Sequence, residues 1–214
     1  MNATLQKLEQ FGIVPVVVLD DAADAAPLAK ALYDGGLACA EVTFRTAAAE
    51  ESIRIMTTEY PDMVVGAGTV LTTDQVDRAI AAGAKFIVSP GLDPKIVTYC
   101  IKKNIPITPG VVTPSEIAKA IELGLDVVKF FPAEPSGGLA MIKAVAAPYN
   151  KLRFMPTGGI NATNALPYLQ YDKIIACGGS WMVKSDLIKE GKFDEITALT
   201  KEAVSLVRSA REVK

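Results

Sequence analysis

The chain has 214 residues, half of them hydrophobic, with 22 basic against 24 acidic side chains and a formal net charge of −2. That length and composition predict one domain over residues 1–214 with a large core, and charge so evenly spread offers neither a nucleic-acid footprint nor a polybasic membrane patch. Histidine is absent altogether, which excludes Ser-His-Asp and Cys-His catalysis and the usual His-containing zinc and iron sites, so acid–base chemistry falls to carboxylates, Lys, Tyr or Cys.

The opening MNATLQKLEQFG lacks the basic-then-apolar pattern of a signal peptide. No later window approaches the roughly 18 apolar residues of a membrane span, so the expected compartment is the cytoplasm. Eight short apolar runs rich in Val, Ile and Phe then follow at near-regular intervals: GIVPVVV (12–18), CAEVTF (39–44), MVVGAGTV (63–70), KFIVSPG (85–91), IPITPG (105–110), DVVKFFPA (126–133), RFMPTGGI (153–160) and KIIACGGS (173–180). Between them, segments such as PLAKALYDGG, TTDQVDRAIAAG, DPKIVTYCIKKN and TPSEIAKAIELG carry apolar positions at helical spacing. Thr113-Pro114-Ser115-Glu116 predicts a capped helix start with a capping box, Thr72 with Gln75 repeats it, and Asp93-Pro94 supplies another cap. Gly83 and Gly124 stand where helix C-termini favour a left-handed residue.

Strands of nearly continuous hydrophobicity, each followed by a helix, imply a parallel sheet covered by helices, and eight such units close into an α/β (β/α)8 TIM barrel. An open doubly wound sheet is the competitor, but it wants a glycine fingerprint after the first strand, and VVVLDDAAD has none. Cys39, Cys100 and Cys177 are odd in number, widely spaced and set among apolar residues, which predicts buried thiols rather than a disulfide framework.

In such barrels the active site sits at the C-terminal ends of the strands. Alternation puts Val127, Lys129 and Phe131 on one face of strand 6 and Val128 and Phe130 on the other. If the first set points inward, desolvation favours the neutral amine of Lys129, a nucleophile able to form a Schiff base with a carbonyl; the other reading is a lysine that snorkels to water or pairs structurally. On strand 2, Glu41, Thr43 and Arg45 share a face. Glu41 is either a structural partner of Lys129 or the acid–base that the missing histidines leave open. Arg45 suits bidentate grip of a carboxylate or phosphate, or a surface ion pair. Strands 7 and 8 end in Thr157-Gly158-Gly159 and Gly178-Gly179-Ser180, where backbone N–H groups can approach an anion, although glycine also serves such turns for conformational reasons alone. Thr69 offers a hydroxyl to a carboxylate or caps a helix.

The motifs EVTFRT, GAGTVL, SPG, TPG, VVKFFPAE, PTGGI and GGSWMV stand in the order and spacing of the 2-keto-3-deoxy-6-phosphogluconate (KDPG) aldolases, which include bifunctional 4-hydroxy-2-oxoglutarate (KHG) aldolases, and the chain resembles that family over nearly its whole length. The resemblance implies that Lys129 is the Schiff-base lysine and Glu41 the general acid–base, acting through a bound water. It implies that Arg45 and Thr69 hold the pyruvate carboxylate, that Gly158, Gly159, Gly179 and Ser180 hold the phosphate, and that Thr157 lies beside the substrate. Pro90, in the SPG turn, and Phe131, on the face of Lys129, complete the expected substrate-binding set. It further implies a class I aldolase needing no cofactor and no metal, a cytoplasmic homotrimer, and small-molecule substrates: a 2-keto-3-deoxy sugar acid phosphate and pyruvate. Phe44 stands where many relatives carry Leu, and TPGVVTPSE varies a loop; both departures leave the choice among KDPG, its galactonate epimer and KHG open. The rival readings are a phosphosugar isomerase or epimerase on the same barrel, and a non-enzymatic phosphometabolite-binding protein.

Overall fold

The computed structural model describes residues 1–212. Eight strands, β1 (Ile13–Val17), β2 (Cys39–Thr43), β3 (Val64–Gly68), β4 (Ile87–Ser89), β5 (Ile107–Val111), β6 (Val127–Phe130), β7 (Arg153–Pro156) and β8 (Cys177–Gly179), pair in parallel. Their order is β7-β6-β5-β4-β3-β2-β1-β8, and parallel bridges from Phe154 to Ile174 and from Thr157 to Gly178 close the ring. The (β/α)8 barrel is therefore the observed fold, and no open sheet edge remains for a doubly wound alternative.

Helix α1 (Ala3–Phe11) precedes β1. Helices α2 (Ala25–Gly35), α3 (Ala49–Glu59), α4 (Thr73–Ala81), α5 (Pro94–Lys102), α6 (Pro114–Glu122) and α7 (Gly138–Ala146) follow the first six strands in turn. The short α8 (Ala165–Leu169) follows β7, and α9 (Ser185–Lys189) and α10 (Phe193–Glu212) follow β8. The Thr113–Glu116 capping box forms at the start of α6, and Asp93 caps α5 by accepting the Lys95 N–H at 2.8 Å. At α4 the box is displaced by one residue. Thr72 accepts the Gln75 N–H, but the Gln75 side chain accepts from Leu71 rather than from the cap residue itself. Gly83 and Gly124 take the left-handed conformation just past α4 and α6.

Period-two alternation divides the sheet residues cleanly. Ala40, Val42, Val65, Ala67, Val128 and Phe130 face the helices in the outer core. Val14, Cys39, Val64, Phe86, Val88, Val127 and Met155 fill the interior with Leu5 and Leu8 of α1. Since Val64 and Val127 begin their strands, α1 closes the N-terminal end of the barrel. Asn2 caps it, Gly12 ends it in the left-handed region, and Arg153 pairs with Glu9 to tie it down. All three cysteines are free and buried, and desolvation pushes the Cys100 thiol up to about 12, with Cys39 and Cys177 raised further by the same cause. Among the described residues no helix is long and apolar enough to cross a membrane.

Candidate active site

Strand 2 directs Cys39, Glu41 and Thr43 inward, and strand 6 does the same with Val127 and Lys129, as the alternation predicts. Glu41 is 1% exposed and Lys129 6% exposed, so both side chains are largely shielded from bulk water. Lys129 Nζ lies 3.4 Å from Glu41 Oε1, at the long end of hydrogen-bond range, and 5.0 Å from the centroid of the Phe131 ring. Gly68, paired with Thr43 in the sheet, makes room for the carboxylate: a Cβ there would sit 2.3 Å from Glu41 Oε1.

Thr43 satisfies its hydroxyl by donating to the Val17 carbonyl at 3.0 Å. Other interior groups do not. Glu41 Oε2, Thr108 Oγ1 and Thr157 Oγ1 are buried without a hydrogen-bond partner. An unsatisfied buried polar group costs about 1–3 kcal/mol, so these three atoms stand to gain from a hydrogen-bond partner, and Thr157 among them lines the cavity at the barrel mouth.

Above this pair opens a cavity of about 410 Å³ at the C-terminal ends of the strands. Arg45, Phe131, Thr157, Gly158, Gly159, Gly179 and Ser180 all line it, bringing seven of the sequence-predicted residues to one space. Thr69 joins through Arg45, whose Nε donates to its hydroxyl at 3.3 Å. Thr69 is not a helix cap, since Thr72 fills that role; its φ of 55° is a strained value for a β-branched residue, and it holds the hydroxyl toward Arg45. Gly158 and Gly159 both have positive φ, and the Asn164 side chain donates to the Gly159 carbonyl at 3.0 Å, fixing the loop. Glu41 and Lys129 lie next to the cavity rather than in its lining, with Phe131 as the shared neighbour. Pro90 lines a separate depression of about 330 Å³ with Leu71 and Leu92 on the same rim.

Several lining residues escaped the sequence reading. Val16 and Val18 were legible from the alternation of strand 1 and form part of the wall. Lys184, Ser185 and Asp186 carried no periodic signal; they reach the cavity only because the chain turns back after Ser180. Glu134 and Tyr168 act from behind the loop: the Tyr168 hydroxyl donates to Glu134 Oε1, and the Glu134 N–H donates to the Gly158 carbonyl at 3.0 Å. Burial, reinforced by the Glu134 carboxylate, raises the Tyr168 hydroxyl above the ordinary phenol range and keeps it a donor.

The matches with known proteins place the chain in a class, the (β/α)8-barrel lyases that act on carbon–carbon bonds, and the buried lysine and carboxylate beside the cavity are compatible with it. The family model for KDPG and KHG aldolase matches residues 4–199. The chain belongs to the KDPG and KHG aldolase family. It is 50% identical over 204 residues to the 2-dehydro-3-deoxy-phosphogluconate aldolase of Haemophilus influenzae, covering 95% of this chain and 96% of that one. The crystal structure of the KDPG aldolase of Legionella pneumophila, with pyruvate captured at low pH as a covalent carbinolamine intermediate, matches with a TM-score of 0.91 at 37% identity, covering 94% of this chain and 98% of that one. That of Zymomonas mobilis ZM4 with 3-phosphoglycerate matches with a TM-score of 0.88 at 43% identity, covering 94% and 95%.

Proposed function

We propose that the chain is a class I aldolase that reversibly cleaves KDPG to pyruvate and glyceraldehyde 3-phosphate, and that it also cleaves KHG to pyruvate and glyoxylate. The observation that carries this is the buried pair of Lys129 Nζ and Glu41 Oε1, 3.4 Å apart beside a cavity lined by Arg45 on one side and by glycine-rich loops on the other. The pyruvate carbinolamine of the Legionella pneumophila relative supports covalent chemistry at a carbonyl.

Arg45 and Thr69 hold the C1 carboxylate, and Gly158, Gly159, Gly179 and Ser180 receive the phosphate. Lys129 passes its proton to Glu41 and, as the neutral amine, adds to C2. The C2 hydroxyl of the carbinolamine then leaves as water with a proton from Glu41, giving an iminium that acts as the electron sink. Glu41, directly or through a water, then removes the C4 hydroxyl proton. The C3–C4 bond breaks, the aldehyde departs, and the electron pair moves into the iminium to form an enamine. C3 of the enamine takes up a proton from Glu41, directly or through a water, and water hydrolyses the resulting iminium to release pyruvate and free Lys129. Closer approach of Glu41 and Lys129 in the substrate complex is expected, because catalytic hydrogen bonds are often long before substrate binds.

Incubation with pyruvate and borohydride is expected to leave a reduced adduct on Lys129, read by peptide mass spectrometry. No adduct, or one on another lysine, overturns the reading, and an isomerase or epimerase on this barrel forms no imine at all. We further propose a cytoplasmic homotrimer. Leu71, 55% exposed beside the depression formed with Val70, Leu92 and Ile96, supports burial of that side against a second copy, and sedimentation equilibrium tests it.

A further inference from the structure

The cavity extends from Arg45, beyond β2, to the loops after β7 and β8, with Val16 and Val18 between as an apolar wall. Its charged lining is Arg45, Lys184 and Asp186, two cations against one carboxylate. Arg45 is engaged on the β2–β3 side by its bond to Thr69. Asp186 accepts the Leu187 N–H at 3.0 Å within its own helix. Lys184 makes no ion pair among the described residues, a property it shares with several surface lysines, but it is the lysine in the cavity lining.

The backbone beneath Lys184 is anchored. The Val183 N–H donates to the Ser180 carbonyl at 3.0 Å, closing a turn, and Met182 and Val183 are buried. Trp181 packs so tightly over Gly179 that a Cβ there would meet its ring at 2.0 Å. Lys184 therefore extends, exposed and without an ion pair among the described residues, from an anchored backbone turn in the part of the cavity where Gly158, Gly159, Gly179 and Ser180 supply neutral donors.

Resting on the aldolase activity proposed above, we infer that Lys184 is a specificity-determining residue that favours the phosphorylated sugar acid over KHG. Backbone N–H groups accept any anion of suitable shape, but a phosphate ester carries a charge of about −1.5 to −2 near pH 7 and gains most from an additional unpaired cation. KHG ends in a carboxylate attached directly to the carbon whose bond breaks, so its second anion stops short of the loop after β8. Lys184 acts on binding at a point remote from C2 and C4, so its effect falls on KM rather than on the chemical step.

Cleavage of KDPG and of KHG is measured for the wild type, Lys184→Gln and Lys184→Arg at low and high ionic strength. Lys184→Gln is expected to raise KM for KDPG by about three- to tenfold with kcat unchanged, and to leave the KHG constants within about a factor of two. Lys184→Arg is expected to restore most of the KDPG affinity, and added salt to raise KM for KDPG more steeply in the wild type than in Lys184→Gln. An unchanged KM for KDPG in Lys184→Gln, or an equal rise for both substrates, overturns the inference while leaving the aldolase activity intact. A wild-type chain that cleaves neither substrate overturns the activity and the inference together.

Discussion

The N-terminal end of the barrel is apolar and closed, while its C-terminal end is polar and open. At the first, Leu5 and Leu8 of α1 pack among Val14, Val64 and Val127, and polar groups of the surrounding surface pair off, as Met1 does with Asp126 and Arg153 with Glu9. At the second, Glu41 Oε2 and Thr157 Oγ1 are buried without partners and Thr69 holds a strained φ of 55°. A positive φ of 55° also occurs at Asn104 near the closed end, so what separates the two ends is apolar filling at one and buried polar groups without partners beside the proposed substrate cavity at the other.

Substitutions at the two ends are expected to separate these roles. The largest effect is expected for Lys129→Met, which removes the proposed nucleophile and is expected to abolish turnover. It also leaves Glu41 as a buried charge without a partner, lowering stability by about 3–5 kcal/mol. Adding Glu41→Gln to it is expected to recover most of that stability and none of the activity, a contrast that thermal melts and an aldol-cleavage assay read directly. Glu41→Gln alone is expected to slow kcat by about two to four orders of magnitude with KM little changed; a kcat within tenfold of wild type removes Glu41 from the proton transfers.

At the closed end the signature reverses. Leu8→Ala deletes a side chain with no exposed surface and is expected to lower unfolding free energy by about 2–5 kcal/mol in urea titrations, with kcat retained where the protein remains folded. A kcat falling in proportion would mean that the two ends are not independent. The smallest effect is at Thr157→Val, which keeps the shape and removes an orphan hydroxyl. Stability is expected to hold or rise slightly, while kcat/KM falls by about tenfold, the loss of one hydrogen bond made only to substrate. A drop in melting temperature there would show that the hydroxyl already has a structural partner.

The barrel was legible because its strands are hydrophobic on both faces and its helices are punctuated by Thr72, Asp93, Thr113, Gly83 and Gly124. Helix α1 was harder to read. Its Asn2 cap, the spacing of Leu5 and Leu8, and Gly12 are weak signals in a short segment, and they acquire meaning only when the open end of a barrel is there to be filled. The candidate site divides in the same way. Glu41, Lys129 and Phe131 follow from alternation along single strands, whereas Lys184, Glu134 and Tyr168 are positioned by chain reversals that no local pattern encodes.

By itself the sequence determined the eight-fold repeat, the facing of each strand residue and the absence of histidine, because backbone pleat and composition are local properties. Only the tertiary structure decided that Glu41 and Lys129, 88 residues apart in sequence, stand 3.4 Å apart in space. It likewise decided that Arg45 and Lys184 line one cavity and that Pro90 lies outside it. Such distances depend on barrel closure and strand register, which long-range pairing sets and neighbouring residues cannot.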